Sequence, residues 1–271
     1  MIMADVVSLT GEKEAEVPLP QVFSEKLNLY VLKRAFIAEE SERFQLKYTD
    51  PLAGKRKAAE LTKRRRAYKT TYGHGLNRTP RKVLYHTGGS SFYYVGAVAP
   101  HTVGGREAHP PKKEKVMIKK INKKERLLAI RVGIAASANR ELVDKFHRIS
   151  KLKSLPLIVS GDIEKIKKTK EAAEKLRAIG LGDELERISA RSIRAGKGKL
   201  RGRRYRRKLG PVLVVGKGTS VTRAFGNLNM SVRNVDNLKL SDVTNGGFAG
   251  RLLIWTRGAI NEVDKVYGKH D

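Results

Sequence analysis

Pro211-Val212-Leu213-Val214-Val215 is the stretch on which the fold turns. Four consecutive aliphatic residues, three of them β-branched, read as a strand buried on both faces. Gly216-Lys217-Gly218-Thr219 follows and leads into a short helix, Ser220 to Phe225. The same grammar recurs outward from it. Leu155-Pro156-Leu157-Ile158-Val159 and Arg251-Leu252-Leu253-Ile254-Trp255-Thr256 read as further apolar strands, with Ser231 to Val235 and Val6-Val7-Ser8-Leu9 as shorter ones. Between them, apolar residues step by three and four. Phe23, Leu27, Tyr30, Val31 and Arg34 mark one such helix, while Leu127, Leu128, Ile130, Val132, Ile134 and several alanines over 123–139 read as a second, well-buried helix. A Lys/Glu-laced helix runs from Ile163 to Ile179 and stops at Gly180; others span Asp183 to Ile193 and Arg257 to Val266. This alternation predicts an α/β fold, a mostly parallel sheet flanked by helices on both faces.

From Lys47 to about Lys113 the grammar lapses. Glycine, proline and basic residues dominate Lys63-Arg64-Arg65-Arg66, the segment Thr70 to Arg81, Gly88-Gly89-Ser90-Ser91, and Gly104 to Pro111. So long a structureless loop is not expected inside a compact domain. It is either disordered or ordered against something outside the domain. The interleaved Tyr68, Tyr72, Tyr85, Phe92, Tyr93 and Tyr94 favour the second, because solvating tails are poor in aromatics. The expected division is a globular body, residues 1–46 and 113–271, with an extended basic loop, 47–112, projecting from it. Two arms of roughly 33 residues at ~3.3 Å each would reach at most ~100 Å.

The 271 residues include 57 lysines and arginines against 27 acids, a net charge of +30. A lone globule repels itself at that charge, so a polyanion is the expected partner, nucleic acid foremost. Arg191 to Lys208 alone holds ten basic residues and no acid. Such runs cannot be neutralised within the chain, and the glycines threaded through them let backbone approach phosphates. That distinguishes them from a solvated face. RNA is expected over DNA, since no helix-turn-helix, zinc finger or zipper is present and folded RNA offers irregular surfaces to extended segments. No membrane contact is expected: no apolar stretch approaches transmembrane length, and Met1 to Asp5 lacks the features of a signal peptide. The absence of cysteine excludes disulfides, thiol nucleophiles and cysteine-bound zinc, and fits the cytosol.

Enzyme signals are weak. Gly216-Lys217-Gly218 begins a dinucleotide fingerprint, but its third glycine would fall at Val221 and the next strand meets an acid only at Asp236. The histidines, His74, His86, His101, His109, His147 and His270, form no HxH or HExxH pair. Gly89-Ser90-Ser91 lacks the spacing of a nucleophile elbow, and acids are too sparse in the loop for paired-carboxylate chemistry. No catalysis, cofactor or metal is expected. The rivals are an RNA-modifying enzyme with a nucleotide at 216–220, a non-specific nucleic-acid compactor, and a messenger-RNA regulator.

Gly73-His74-Gly75-Leu76-Asn77-Arg78-Thr79-Pro80-Arg81, followed by Gly104-Gly105-Arg106-Glu107-Ala108-His109-Pro110-Pro111, resembles the large-ribosomal-subunit protein four family in its archaeal and eukaryotic form. The order of parts, from first strand and helix to the closing Leu252 to Thr256, extends the resemblance over nearly the whole chain. It implies a structural constituent of cytoplasmic ribosomes that supports subunit assembly and translation. The body would lie on large-subunit ribosomal RNA among neighbouring ribosomal proteins, and the loop would reach the wall of the nascent-peptide exit tunnel. The expected RNA contacts are Lys63, Arg64, Arg65, Arg66, Lys69, Arg78, Arg81, Arg106, His109, Arg201, Arg203, Arg204, Arg206 and Arg207. Tyr72, Gly73, His74, Gly75 and Arg78 would form the tunnel tip beside the nascent peptide. His74 and Leu76 interrupt the Gly-Thr-Gly-Arg pattern frequent at family tips.

Overall fold

A computed structural model of the chain describes residues 3–88, 91–217 and 223–268. The chain divides into two compact units, one running up to Arg43 and resuming at Ile118, the other spanning Phe44–Met117. In chain order the elements are β1 (Met3–Val7), β2 (Lys13–Pro18), α1 (Leu29–Ser41), β3 (Arg81–Thr87), β4 (Ser91–Gly96), α2 (Lys123–Ser137) and α3 (Arg140–Asp144). Then come β5 (Leu157–Val159), α4 (Thr169–Leu176), α5 (Gly182–Ser189), β6 (Ser192–Ile193), β7 (Tyr205–Arg206) and β8 (Val212–Val215). The chain closes with α6 (Arg223–Gly226), β9 (Ser231–Asn234), α7 (Leu240–Val243), β10 (Leu253–Thr256) and α8 (Arg257–Tyr267).

Six strands form the sheet of the first unit in the order β2-β1-β5-β10-β8-β9. Only β1 and β2 pair antiparallel. The two-residue period of a strand explains why the central strands are apolar throughout. Ile158, Val212, Val214, Leu253 and Trp255 point into one core with Leu32 and Ala35 of α1, Ala129 and Ile134 of α2, and Ile260 and Val263 of α8. Leu157, Val159, Leu213, Val215 and Ile254 point into the other, with Ala172 and Leu176 of α4 and Leu185 and Ile188 of α5. Both faces of the sheet are therefore covered, as the run at 211–215 predicts. Trp255 is completely buried and meets Phe23 edge-on at 5.6 Å.

Two readings are corrected, and one strand escaped the sequence reading. The helix expected from Ile163 to Ile179 begins only at Thr169. Ile163 lies in a 3-10 turn (Gly161–Lys165) and Ile166 is extended, though both are buried. A 3-10 turn also brings residues three apart to one side, so spacing alone cannot tell it from an α-helix. The helix expected to reach Ile193 ends at Ser189, because Ser192–Ile193 pairs with Tyr205–Arg206. Strand β2 gave no sequence signal: Lys-Glu-Ala-Glu-Val-Pro is mostly charged, as befits a sheet edge. Its Val17 reaches the core while Lys13 pairs with Asp5 (2.7 Å) and Glu16 (2.5 Å).

The Phe44–Met117 unit, expected as an extended loop, carries paired strands of its own. β3 and β4 pair as an antiparallel hairpin. Glu60 and Arg81 exchange both backbone hydrogen bonds beside it, at 3.1 and 3.2 Å. Ala97 and Thr71 are buried. Alternation in β3 and β4 is broken by a bulge, which hid the strands from a period-two reading.

Candidate nucleic-acid interface

In the Phe44–Met117 unit, 16 lysines and arginines face four acids. The basic run is bent back on itself. Lys63 is half-buried and donates to the carbonyls of Thr71 (3.2 Å) and Leu76 (2.7 Å), while the Thr71 hydroxyl donates to Thr62 O (2.9 Å). Lys63 thus ties the segment 71–76 to its own strand of chain, a packing role that the sequence reading missed. Arg64, Arg65 and Arg66 are exposed. The Arg65 guanidinium lies 5.7 Å from the Tyr72 ring, and the Lys69 ammonium 5.4 Å from Tyr68. Arg66 and Lys69 both adopt φ of 56°, left-handed backbone that turns the run sharply.

The expected tip is a solvent-facing turn. Tyr72, Gly73, His74, Gly75 and Arg78 are all exposed. Gly73 has φ 77°, a conformation that a side chain would strain, and open space around it. Arg81 donates to the Asn77 side chain, and its Nε is buried without a partner. Further on, the Arg106 backbone N–H donates to Val98 O at 2.9 Å. A Cβ on Gly105 would fall 2.0 Å from Ala99 O, so the Gly104-Gly105 block is a steric requirement of this crossing. Arg106 is half-buried and His109 exposed. Ion pairing among the described residues of this unit joins Arg56 to Asp50 (2.6 Å) and engages none of these candidate cations.

In the other unit, Arg201, Arg203, Arg204, Arg206 and Arg207 are all exposed on or beside the small β6–β7 hairpin. Arg194 holds the hairpin together by donating from Nε to Arg203 O (3.1 Å). Arg204 lies 5.6 Å from the Tyr205 ring, and Arg207 donates to Asn229 Oδ1 (3.0 Å). A buried polar cluster anchors the root of this basic segment. Glu184 is fully buried and accepts from His147 Nδ1 (2.7 Å), the Arg148 backbone (2.9 Å) and Arg187 (2.7 Å). Arg187 in turn donates to Leu209 O at 2.6 Å, where the segment rejoins the body. Burial alone would raise the Glu184 carboxyl, but the hydrogen bonds from Arg187, His147 and Arg148 outweigh it and hold it below the usual carboxylate value. Arg251 is also buried. It donates to Gly210 O (3.2 Å) and Ser241 O (2.5 Å), and burial lowers its pKa. Sequence reading missed this scaffold; its one trace was the Glu184/Arg187 pair at a helical i,i+3 spacing.

Two alternatives can be checked against the geometry. At the incomplete fingerprint, the Lys217 backbone N–H donates to Glu262 Oε2 (2.8 Å), so a carboxylate occupies the direction a pyrophosphate would need. Gly218, Thr219 and Ser220 lie outside the described residues, as do Gly89, Ser90 and His270. Among the described residues no group of three or more acids or histidines converges as metal ligands would, and no helix is long and apolar enough to cross a membrane.

Residues 17–266 match the model of the "Ribosomal protein L4/L1 family". Proteins named "Large ribosomal subunit protein uL4" align along nearly their full length. The one from Methanosphaera stadtmanae is 39% identical over 273 residues, covering 100% of this chain and 99% of its own. That from Nanoarchaeum equitans is 40% identical over 256 residues, 93% and 94% of the two chains. That from Methanocaldococcus jannaschii is 37% identical over 266 residues, 97% and 99%. With a family model spanning most of its length and such relatives matched from end to end, the chain belongs to the ribosomal protein L4/L1 family.

Proposed function

We propose that this protein is a structural constituent of the large ribosomal subunit, working in the cytoplasm, and that its basic surfaces bind large-subunit ribosomal RNA. Its relatives bear the name of a ribosomal component, not of an enzyme. The observation that carries the reading is that Arg64, Arg65, Arg66, Arg78, Arg201, Arg203, Arg204 and Arg206 are exposed with no carboxylate partner among the described residues. Unpaired cations at this density repel one another until phosphates neutralise them. Arginine suits the task, since its planar fork takes phosphate oxygens in pairs and stacks on bases.

Residues 1–46 and 113–271 would act as the RNA-bound body, and 47–112 as the arm that enters ribosomal RNA and contributes to the exit-tunnel wall. Tyr72, Gly73, His74, Gly75 and Arg78 would face the nascent peptide there, and neighbouring ribosomal proteins would contact the body. The exposed, positive-φ turn at 72–75 supports a tip that fits a confined space. Sedimentation of a lysate through a sucrose gradient tests the assignment. The protein is expected to travel with the large subunit through a moderate salt wash. Recovery only at the top of the gradient refutes it.

A further inference from the structure

We propose that the stacked pair Tyr85–Tyr93 on the β3–β4 hairpin is a seat for an unpaired RNA base. The proposal rests on the RNA-binding reading above and adds what kind of nucleotide this part of the chain meets. The hairpin register carries it. Arg81 pairs with Gly96 and Val83 with Tyr94, so an unbroken ladder would set Tyr85 against Phe92. A bulge at Leu84 shifts the register by one, so that Tyr85 faces Tyr93 and His86 faces Phe92. Bulges re-aim side chains in this way. The result is two faces of different character. His86, Phe92 and Tyr94 share one, and its Phe92 and Tyr94 are covered within the unit: Phe92 meets Tyr68 edge-on at 5.2 Å, and the Tyr94 hydroxyl donates to Thr70 O at 3.3 Å, while His86 at the hairpin end is exposed.

The tyrosine face has no such cover. The two rings lie 5.2 Å apart at 15°, and Tyr85 and Tyr93 remain 61% and 52% exposed. Single exposed aromatics need no explanation. Two near-parallel rings stacked on each other across a strand pair present an outer π face already ordered for one more ring. Charge selects the guest. From Arg81 to Gly96 there is no acid, while Lys82, opposite Val95, shares the face with the tyrosines. An aromatic group that arrives attached to phosphate satisfies both the rings and the cation. Bases inside a duplex are already stacked on both faces, so the seat selects unpaired nucleotides, whatever their sequence.

The test uses the full chain with an unpaired oligoadenylate carrying one 2-aminopurine, and an RNA duplex of matched phosphate number, at fixed salt. Tyr85→Leu with Tyr93→Leu keeps apolar bulk without rings; Tyr85→Phe with Tyr93→Phe keeps the rings. The leucine pair is expected to bind oligoadenylate about tenfold more weakly and the duplex within about twofold of the unaltered chain. The phenylalanine pair is expected to match the unaltered chain on both. 2-Aminopurine fluorescence should be quenched by the unaltered chain and the phenylalanine pair. Equal loss on both RNAs in the leucine pair, or no loss on either, overturns the seat while leaving RNA binding intact. So does absence of quenching on the unaltered chain, which decides the matter even if the leucine pair does not fold. Failure of the unaltered chain to bind either RNA overturns the RNA-binding reading as well.

Discussion

Gly105 and Glu184 show two ways a single residue constrains this molecule. At Gly105 the cause is steric: an added methyl would meet Ala99 O and Thr102 Oγ1 within 2.5 Å, so the backbone must move. Gly105→Ala is expected to destabilise the Phe44–Met117 unit by roughly 2 kcal/mol. Hydrogen exchange checks this, with faster exchange at Ala97 and Arg106 and none at Val214 or Ile254. At Glu184 the cause is electrostatic. Its carboxyl is held below the reference value of 4.5 in the fold, so its stabilisation is complete above about that pH and is lost as pH falls through the lower, folded value. Glu184→Gln should cost about 3 kcal/mol at neutral pH, because Arg187 and His147 lose a buried partner. It should also flatten the loss of stability on acidification below pH 4.5. Urea unfolding across that range is the measurement; an unchanged acid limb would mean that other carboxylates govern it. Neither role could be read from the sequence. A glycine in a basic loop and an acid in a charged helix look ordinary until the chain brings Ala99 and His147 against them.

The elements differ in how openly the sequence declared them. β8 and β10 were legible as unbroken apolar runs, α2 by its density of apolar residues and α8 by its apolar face, and the core rewards each. The β6–β7 and β3–β4 hairpins were not legible. The first pairs only two residues per strand, with Ile193 exposed, and the second is broken by its bulge. Local pattern reports burial, and these hairpins bury little. What the sequence did declare there is charge. Replacing Arg203, Arg204, Arg206 and Arg207 by glutamine should reduce the slope of log affinity against log salt by roughly 3 for a structured RNA, if each guanidinium meets one phosphate. An unchanged slope in filter binding across a salt series would move the RNA-contacting surface elsewhere.

For the molecule as a whole, the second unit is an insertion whose ends meet. The Lys119 backbone N–H donates to the buried Ser41 hydroxyl at 2.8 Å, so the first unit closes across the point where residues 44–117 leave and return. Replacing 44–117 by a short glycine linker should leave a folded body with a melting temperature within a few degrees of the full chain, since neither sheet-facing core draws on that segment. Loss of cooperative melting would show that the body depends on the insertion. By itself the sequence determined the α/β class, the excess of positive charge and the family resemblance, because apolar patterning and net charge are properties of neighbouring residues along the chain. Only the tertiary structure decided the antiparallel edge strand, the bulged hairpin, the inward role of Lys63 and the buried anchor at Glu184. Each of these depends on groups far apart in sequence that become neighbours only once the sheet and its turns have formed.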